Sequence, residues 1–193
     1  ALSREGCAPY IIYNGASSAR GALGYVEAAA ELWEQISSNA ERAAIRNVCI
    51  PGGNGGLAAG FIYGTALLGN PFHVELISVE HEAEPLREII SAFLKDLEKL
   101  CGVPMPCPLE QTATLHGAYR FGGWGVITPE VEEFCIRFAR TEGIFIEKVY
   151  TCKTLYGMCD LAKKGYFHDG ACYLHSGGIG ALFSQYHIPG GGV

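Results

Sequence analysis

Short apolar runs that alternate with longer, helix-patterned segments constrain the fold of this chain more than any other feature. "YIIY" (10–13) reads as a strand, and GALGYVEAAAELWEQI (21–36) as an amphipathic helix with Leu23, Val26, Ala30 and Trp33 at helical spacing. "NVCI" (47–50) is a second strand, LAAGFIYGTALL (57–68) a buried helix of small and apolar residues, "HVELISV" (73–79) a strand and PLREIISAFLKDLEKL (85–100) a long helix. From Gly102 to Val126 prolines and glycines dominate and no period holds, which predicts a long loop with one strand near Ala113–Leu115. Thr128 then caps a helix with Pro129 at its first position, which runs to about Thr141 and is stopped by Gly143. Lys153–Lys164 predicts a further helix, "ACYLH" (171–175) a last strand, and IGALFSQ follows an SGG turn. Strands that alternate with crossover helices predict one α/β domain over 1–193. Its three layers are a mostly parallel sheet with helices on both faces, and ligands collect at the strand ends.

One such end is "CIPGGNGGLAAG" (49–60), where four glycines surround Asn54 directly after a strand and directly before a helix. A turn of this kind exposes several backbone N–H groups at the positive end of the helix dipole, which makes an anion site. Glycines also serve tight turns and close helix packing, and for a lone turn the two readings weigh equally.

Composition narrows the function classes. With 193 residues, 49% of them hydrophobic and 18% charged, the chain buries one substantial core and is not disordered. A net charge of -6 with scattered basic residues, only Lys163 and Lys164 being adjacent, argues against a nucleic-acid surface. No apolar run reaches the roughly 18 residues of a membrane span, and ALSREGCAPY has neither the charged nor the apolar region of a signal peptide. The expected setting is therefore intracellular and reducing, cytoplasm or organelle matrix. Among the eight cysteines there is no CxxC pair, and Cys49, Cys135 and Cys172 fall in apolar strand-like or helical runs, as reduced thiols used as small hydrophobes do. His73, His81, His116, His168, His175 and His187 have no metal-type spacing, so no metal site is expected. Ser17 and Ser18 have no base beside them in sequence, which leaves a serine-hydrolase reading without support.

Several stretches read together carry a resemblance. GALGYVEAAAEL, GNGGLAAG, ARTEGIFIEKVYTCKTLYGM and LHSGGIGALF, in this order, closely resemble the C-terminal part of the D-cysteine desulfhydrase and 1-aminocyclopropane-1-carboxylate deaminase family, over Tyr10 to about Phe183. The family consists of pyridoxal-phosphate enzymes of the tryptophan-synthase-β fold. The resemblance implies that Gly53, Asn54, Gly55, Gly56 and Leu57 cradle the cofactor phosphate. It implies that Ser176 faces the pyridine nitrogen, that Trp124 is the aromatic beside the cofactor, and that Ser17 and Ser18 face the substrate carboxylate. Ser176 and Val149-Tyr150-Thr151 lean toward the desulfhydrase branch.

The chain also departs from the pattern. Family loops present serine and threonine hydroxyls where Asn54 and Leu57 stand, and losing one charge-assisted contact costs about 1.5–3 kcal/mol. Trp124 replaces the usual tyrosine; an indole stacks but moves no proton at a substrate carbon. The Schiff-base lysine of the family follows an asparagine in an N-terminal region, and none of Lys95, Lys99, Lys148, Lys153, Lys163 or Lys164 follows one. Lys153 reads as part of a helix start. No catalytic residue is therefore expected on this chain, and pyridoxal phosphate is expected to be weakly held or absent. The chain reads as a degenerate domain, a structural or accessory subunit whose bared apolar surface, in a chain of mean hydropathy +0.16, is covered by other chains. Two alternatives stand beside this. One is the C-terminal part of an active desulfhydrase or deaminase completed by another segment or chain with the lysine. The other is a module that uses the glycine turn for some other anion.

Overall fold

Residues 48–52 are apolar or small at every position, as befits a strand covered on both faces, and they lie at the centre of a sheet. The computed structural model describes residues 2–185. Strand β1 (Ile45–Gly52) is flanked by β2 (His73–Ser78) and β4 (Gly170–Tyr173), with β3 (Ala113–His116) outside β2. All three pairings are parallel, in registers that set Cys49 opposite both Glu75 and Tyr173, and Ile77 opposite His116. The four C-terminal strand ends therefore share one edge of the sheet.

Helices α1 (Ala19–Ser37), α2 (Gly56–Leu67) and α3 (Ala83–Cys101) form one outer layer. Helix α6 (Thr151–Lys163) packs on the other face, with α5 (Pro129–Glu142) against it. A one-turn α4 (Leu109–Thr112) leads into β3, and α7 (Ile179–Gln185) follows β4. Local chemistry explains the boundaries. The Ser18 hydroxyl accepts from Gly21 N (3.1 Å) at the start of α1, Thr128 accepts from Val131 N (3.4 Å) at the start of α5, and Gly102 and Gly143 adopt left-handed φ at the ends of α3 and α5. In α3 the buried positions Leu86, Ile90, Leu94 and Leu97 recur at helical spacing, whereas α2 is buried on all sides from Ala58 to Ala66.

That all-round burial depends on glycine. A Cβ on Gly60 would lie 2.1 Å from the Ala22 carbonyl oxygen, and one on Gly64 2.6 Å from that of Val26, so α2 rests directly on the backbone of α1. The principal core joins this helix pair to β1, β2 and α3 through Ile36, Ile50, Phe61, Ile62, Leu76 and Ile90; a second cluster around Phe134, Ile146 and Leu155 fills the space between α5 and α6. Cys49, Cys135 and Cys152 are buried thiols within this packing, and the Sγ of Cys152 donates to Val131 O.

The sheet corrects one expectation. "YIIY" is not a strand: residues 10–13 lie outside the sheet and are each at least 66% exposed. Both sides of β1 are taken by β2 and β4, and residues 10–13 pair with neither of the outer edges at β3 and β4. Helix α6 begins two residues before Lys153, β4 ends two residues before His175, and the loop after Gly102 contains α4 as well as the expected strand. His187 lies outside the described residues. No described helix is long and apolar enough to cross a membrane.

Candidate active site

The strand ends open onto a cavity of about 520 Å³, and the glycine turn forms its floor. Gly55 caps α2 at φ +89°, and a Cβ there would come within 2.6 Å of Ile89 Cγ2. At Gly53 a Cβ would meet the Tyr150 ring at 2.9 Å. No side chain caps α2, so the unshared N–H groups of its first turn, from Gly56 to Ala58, stand at the cavity with the positive end of the helix dipole. Ser17 packs on the same turn, its Oγ 3.6 Å from where a Cβ of Gly56 would be.

The opposite wall comes from α6 and the loop before it. Glu147 is buried and caps α6: its Oε1 accepts from Thr151 N (2.7 Å) and Tyr150 N, and its Oε2 from Val149 N (2.7 Å). The Thr151 hydroxyl is shared between Glu147 N (2.7 Å) and Glu147 O (3.1 Å). This clasp fixes Tyr150, whose phenol oxygen accepts a hydrogen bond from Trp124 Nε1. Burial first, then the nearby carboxylates of Glu80 and Glu147, push the Tyr150 phenol above its ordinary range, with the indole N–H opposing them. The phenol therefore stays protonated, and with one lone pair engaged by Trp124 its own O–H is left to donate to another acceptor.

Lys153 holds the loop that carries Trp124. Its ammonium is fully buried and donates to the carbonyls of Gly123 (2.7 Å) and Arg120 (2.8 Å), and burial lowers its pKa. Lys148 pairs with Glu132, while Lys95 and Lys99 lie on α3 and Lys163 and Lys164 at the end of α6. None of the six lysines lines the cavity.

Of the residues singled out in the sequence, Gly53, Asn54, Gly55, Gly56, Leu57, Ser17, Trp124 and Ser176 all line this cavity. Ser18 does not; its hydroxyl is the cap of α1. Leu57 is half-buried and also packs against the principal core, and Asn54 is exposed at the rim. Glu80, Glu147, Tyr150 and Tyr25 line the cavity too and were not picked out as site residues. Glu80 lies two residues past the end of β2, so the rule that ligands gather at strand ends, applied to every strand, would have found it. Among the described residues, no group of three or more His, Cys, Asp or Glu is placed to hold a metal ion.

A parallel sheet with an amide-lined turn at its C-terminal edge is the frame of many phosphate-cofactor enzymes. The chain belongs to the pyridoxal-phosphate-dependent enzyme family, whose profile matches residues 1–177. It is 32% identical over 182 residues to a Pyrococcus abyssi protein named "Putative 1-aminocyclopropane-1-carboxylate deaminase", and 34% identical to the protein of the same name from Pyrococcus furiosus. Each alignment covers 94% of this chain, but the chain spans only 53% and 54% of those relatives. A solved structure described as an ACC deaminase homologue superposes with a TM-score of 0.81 at 32% identity, over 95% of this chain and 54% of that one.

Proposed function

We propose that this chain supplies the phosphate- and ring-holding half of a pyridoxal phosphate site, and that these 193 residues perform no catalysis by themselves. The observation that carries the reading is the uncapped, Cβ-free start of α2 facing the cavity. Its N–H groups suit a phosphate dianion, and the Ser17 hydroxyl beside Gly56 offers a further donor that offsets the loss of hydroxyls at Asn54 and Leu57. Ser176 brings a hydroxyl to the cavity wall that would donate to a ring nitrogen, and Trp124 would offer a face for stacking. When bound, pyridoxal phosphate supplies an electron sink for reactions at an amino-acid carbon. Tyr150 Oη holds a proton at the cavity wall, with Trp124 orienting it and Glu147 fixing its backbone.

No lysine reaches the cavity, so these residues supply no covalent anchor. The chain then works as an accessory or structural part of a larger assembly. Tyr10–Tyr13, Phe145 and Phe183, each more than 60% exposed, supply apolar surface for a partner to cover. In the second reading the chain is the C-terminal part of an active desulfhydrase or deaminase, completed by another segment or chain that carries the lysine.

The test is a titration of pyridoxal phosphate in a Trp33→Phe background, where Trp124 is the sole indole and reports ring stacking by quenching. Quenching that inorganic phosphate competes away, and that pyridoxal without its phosphate produces far more weakly, is the expected result. Borohydride treatment followed by peptide mapping should find none of the six lysines modified at stoichiometric yield. Equal binding of pyridoxal and pyridoxal phosphate would refute the phosphate cradle, and a stoichiometric lysine adduct would refute the non-catalytic reading.

A further inference from the structure

The cavity has an unusual balance of charge. Its floor offers N–H groups at the α2 start, but no lysine, arginine or histidine lines it, and its two carboxyl groups are those of Glu80 and Glu147. Glu147 is spent, since both of its oxygens accept from the backbone of residues 149–151. Glu80 is not. Its Oε2 is the single buried side-chain nitrogen or oxygen among the described residues that has no hydrogen-bond partner. It lies beside Gly53, 3.5 Å from where a Cβ would sit on that residue. The other oxygen, Oε1, is 3.7 Å from His81 Nε2, beyond hydrogen-bond reach. Oε2 itself is buried, and it is the remainder of the side chain, 26% exposed as a whole and lining the cavity, that a ligand meets. A carboxylate withdrawn from water with an oxygen unmatched carries a desolvation cost that a cation alongside it relieves.

We propose that Glu80 is a specificity-determining residue that selects ligands with a cationic nitrogen, namely amino acids with a second amino group. This rests on the reading above, in which the phosphate of the cofactor occupies the Gly53–Leu57 turn. The cavity then has the N–H groups of the α2 start for the anion and the accessible part of Glu80 for an ammonium. A neutral side chain at Glu80 leaves the carboxylate charge uncompensated, and an anionic one meets like charge in a partly dry site.

Stable adducts made by borohydride reduction of pyridoxal phosphate with an amino acid test this without any lysine on the chain. Three are titrated calorimetrically into the full chain, each in both enantiomers: phosphopyridoxyl-2,3-diaminopropionate, phosphopyridoxyl-alanine and phosphopyridoxyl-aspartate. For one enantiomer the diaminopropionate adduct should bind about tenfold or more tighter than the alanine adduct, and the aspartate adduct weakest. Glu80→Gln should bring the diaminopropionate and alanine adducts to within about twofold of each other while leaving the alanine adduct close to its wild-type affinity. If the wild-type chain binds all three adducts alike, or Glu80→Gln keeps the preference, Glu80 does not select and the phosphate cradle stands. If none of the adducts binds to folded protein, the cofactor reading falls and this proposal with it. The wild-type comparison decides even if the variant fails to fold.

Discussion

Gly24 and Gly60 sit inside helices α1 and α2, and replacing each with alanine should move stability in opposite directions. A Cβ on Gly24 meets nothing within 4 Å, so alanine there gains the helix-propensity difference of about 0.8–1 kcal/mol. On Gly60 the same methyl would lie 2.1 Å from the Ala22 carbonyl oxygen and 3.0 Å from Tyr25 Cβ. Both atoms are tied to the backbone of α1, so the two helices must part. Overpacking of this kind costs about 1–3 kcal/mol, and an approach to a fixed carbonyl oxygen belongs at or above the upper end. After the propensity gain the net loss is about 2 kcal/mol or more. For a chain of this size 1 kcal/mol shifts Tm by about 2–4 °C, so Gly24→Ala should melt about 2–4 °C higher and Gly60→Ala about 4–8 °C lower than the wild type. Urea titrations with unchanged m values would confirm that folding stability, not denatured-state compactness, is being read. A Gly60→Ala protein as stable as the wild type would refute the direct seating of α2 on α1. Ser17 precedes α1 and the glycine turn precedes α2, so the same substitution should also weaken the quenching of Trp124 by pyridoxal phosphate.

Lys153→Met leaves the carbonyls of Arg120 and Gly123 without a donor, so it should cost about 2–3 kcal/mol. In the Trp33→Phe background its Trp124 emission should shift to the red, and an unchanged spectrum would show that Lys153 does not hold the loop. The Asp160 carboxyl is held below its ordinary value of 3.8 by hydrogen bonds from Lys164 Nζ (2.6 Å) and the Tyr119 hydroxyl (2.8 Å). Its folded pKa being the lower one, the contribution is full above 3.8 and lost as pH falls through the folded value. The stability gap between wild type and Asp160→Asn should therefore close in acid titrations below about pH 4, and a gap independent of pH would contradict this. Exposed Cys7 and Cys101 should react first with an aromatic disulfide reagent. Cys49, whose thiol burial pushes up, and Cys152, pushed up by its hydrogen bond with Cys135 and by burial, should react only on unfolding. Native-state labelling of either, mapped by mass, would overturn their placement.

Much of this architecture can be read from the sequence because the responsible forces are local. The all-apolar run at 48–52, the Thr128-Pro129 start of α5 and its Gly143 stop are written in adjacent residues, and each element lies within a few positions of where the pattern puts it. "YIIY" fails for a non-local reason: whether an apolar tetrapeptide becomes a strand depends on a partner strand coming alongside it, which its own residues do not encode. Lys153 is legible as part of a helix start but not as a brace, because its acceptors lie 33 and 30 residues earlier in an aperiodic loop. Glu80 and Tyr150 come together through parallel strand order and the crossover of α6, which no spacing along the chain encodes. The glycine turn, by contrast, is legible in five consecutive residues, and all five line the cavity.

Helix α2 offers its amide end to the cavity while its length from Ala58 to Ala66 is buried. An anion held there would pull on the deepest element of the molecule, so occupancy should be legible far from the mouth, as slower hydrogen–deuterium exchange at amides that no ligand ever touches.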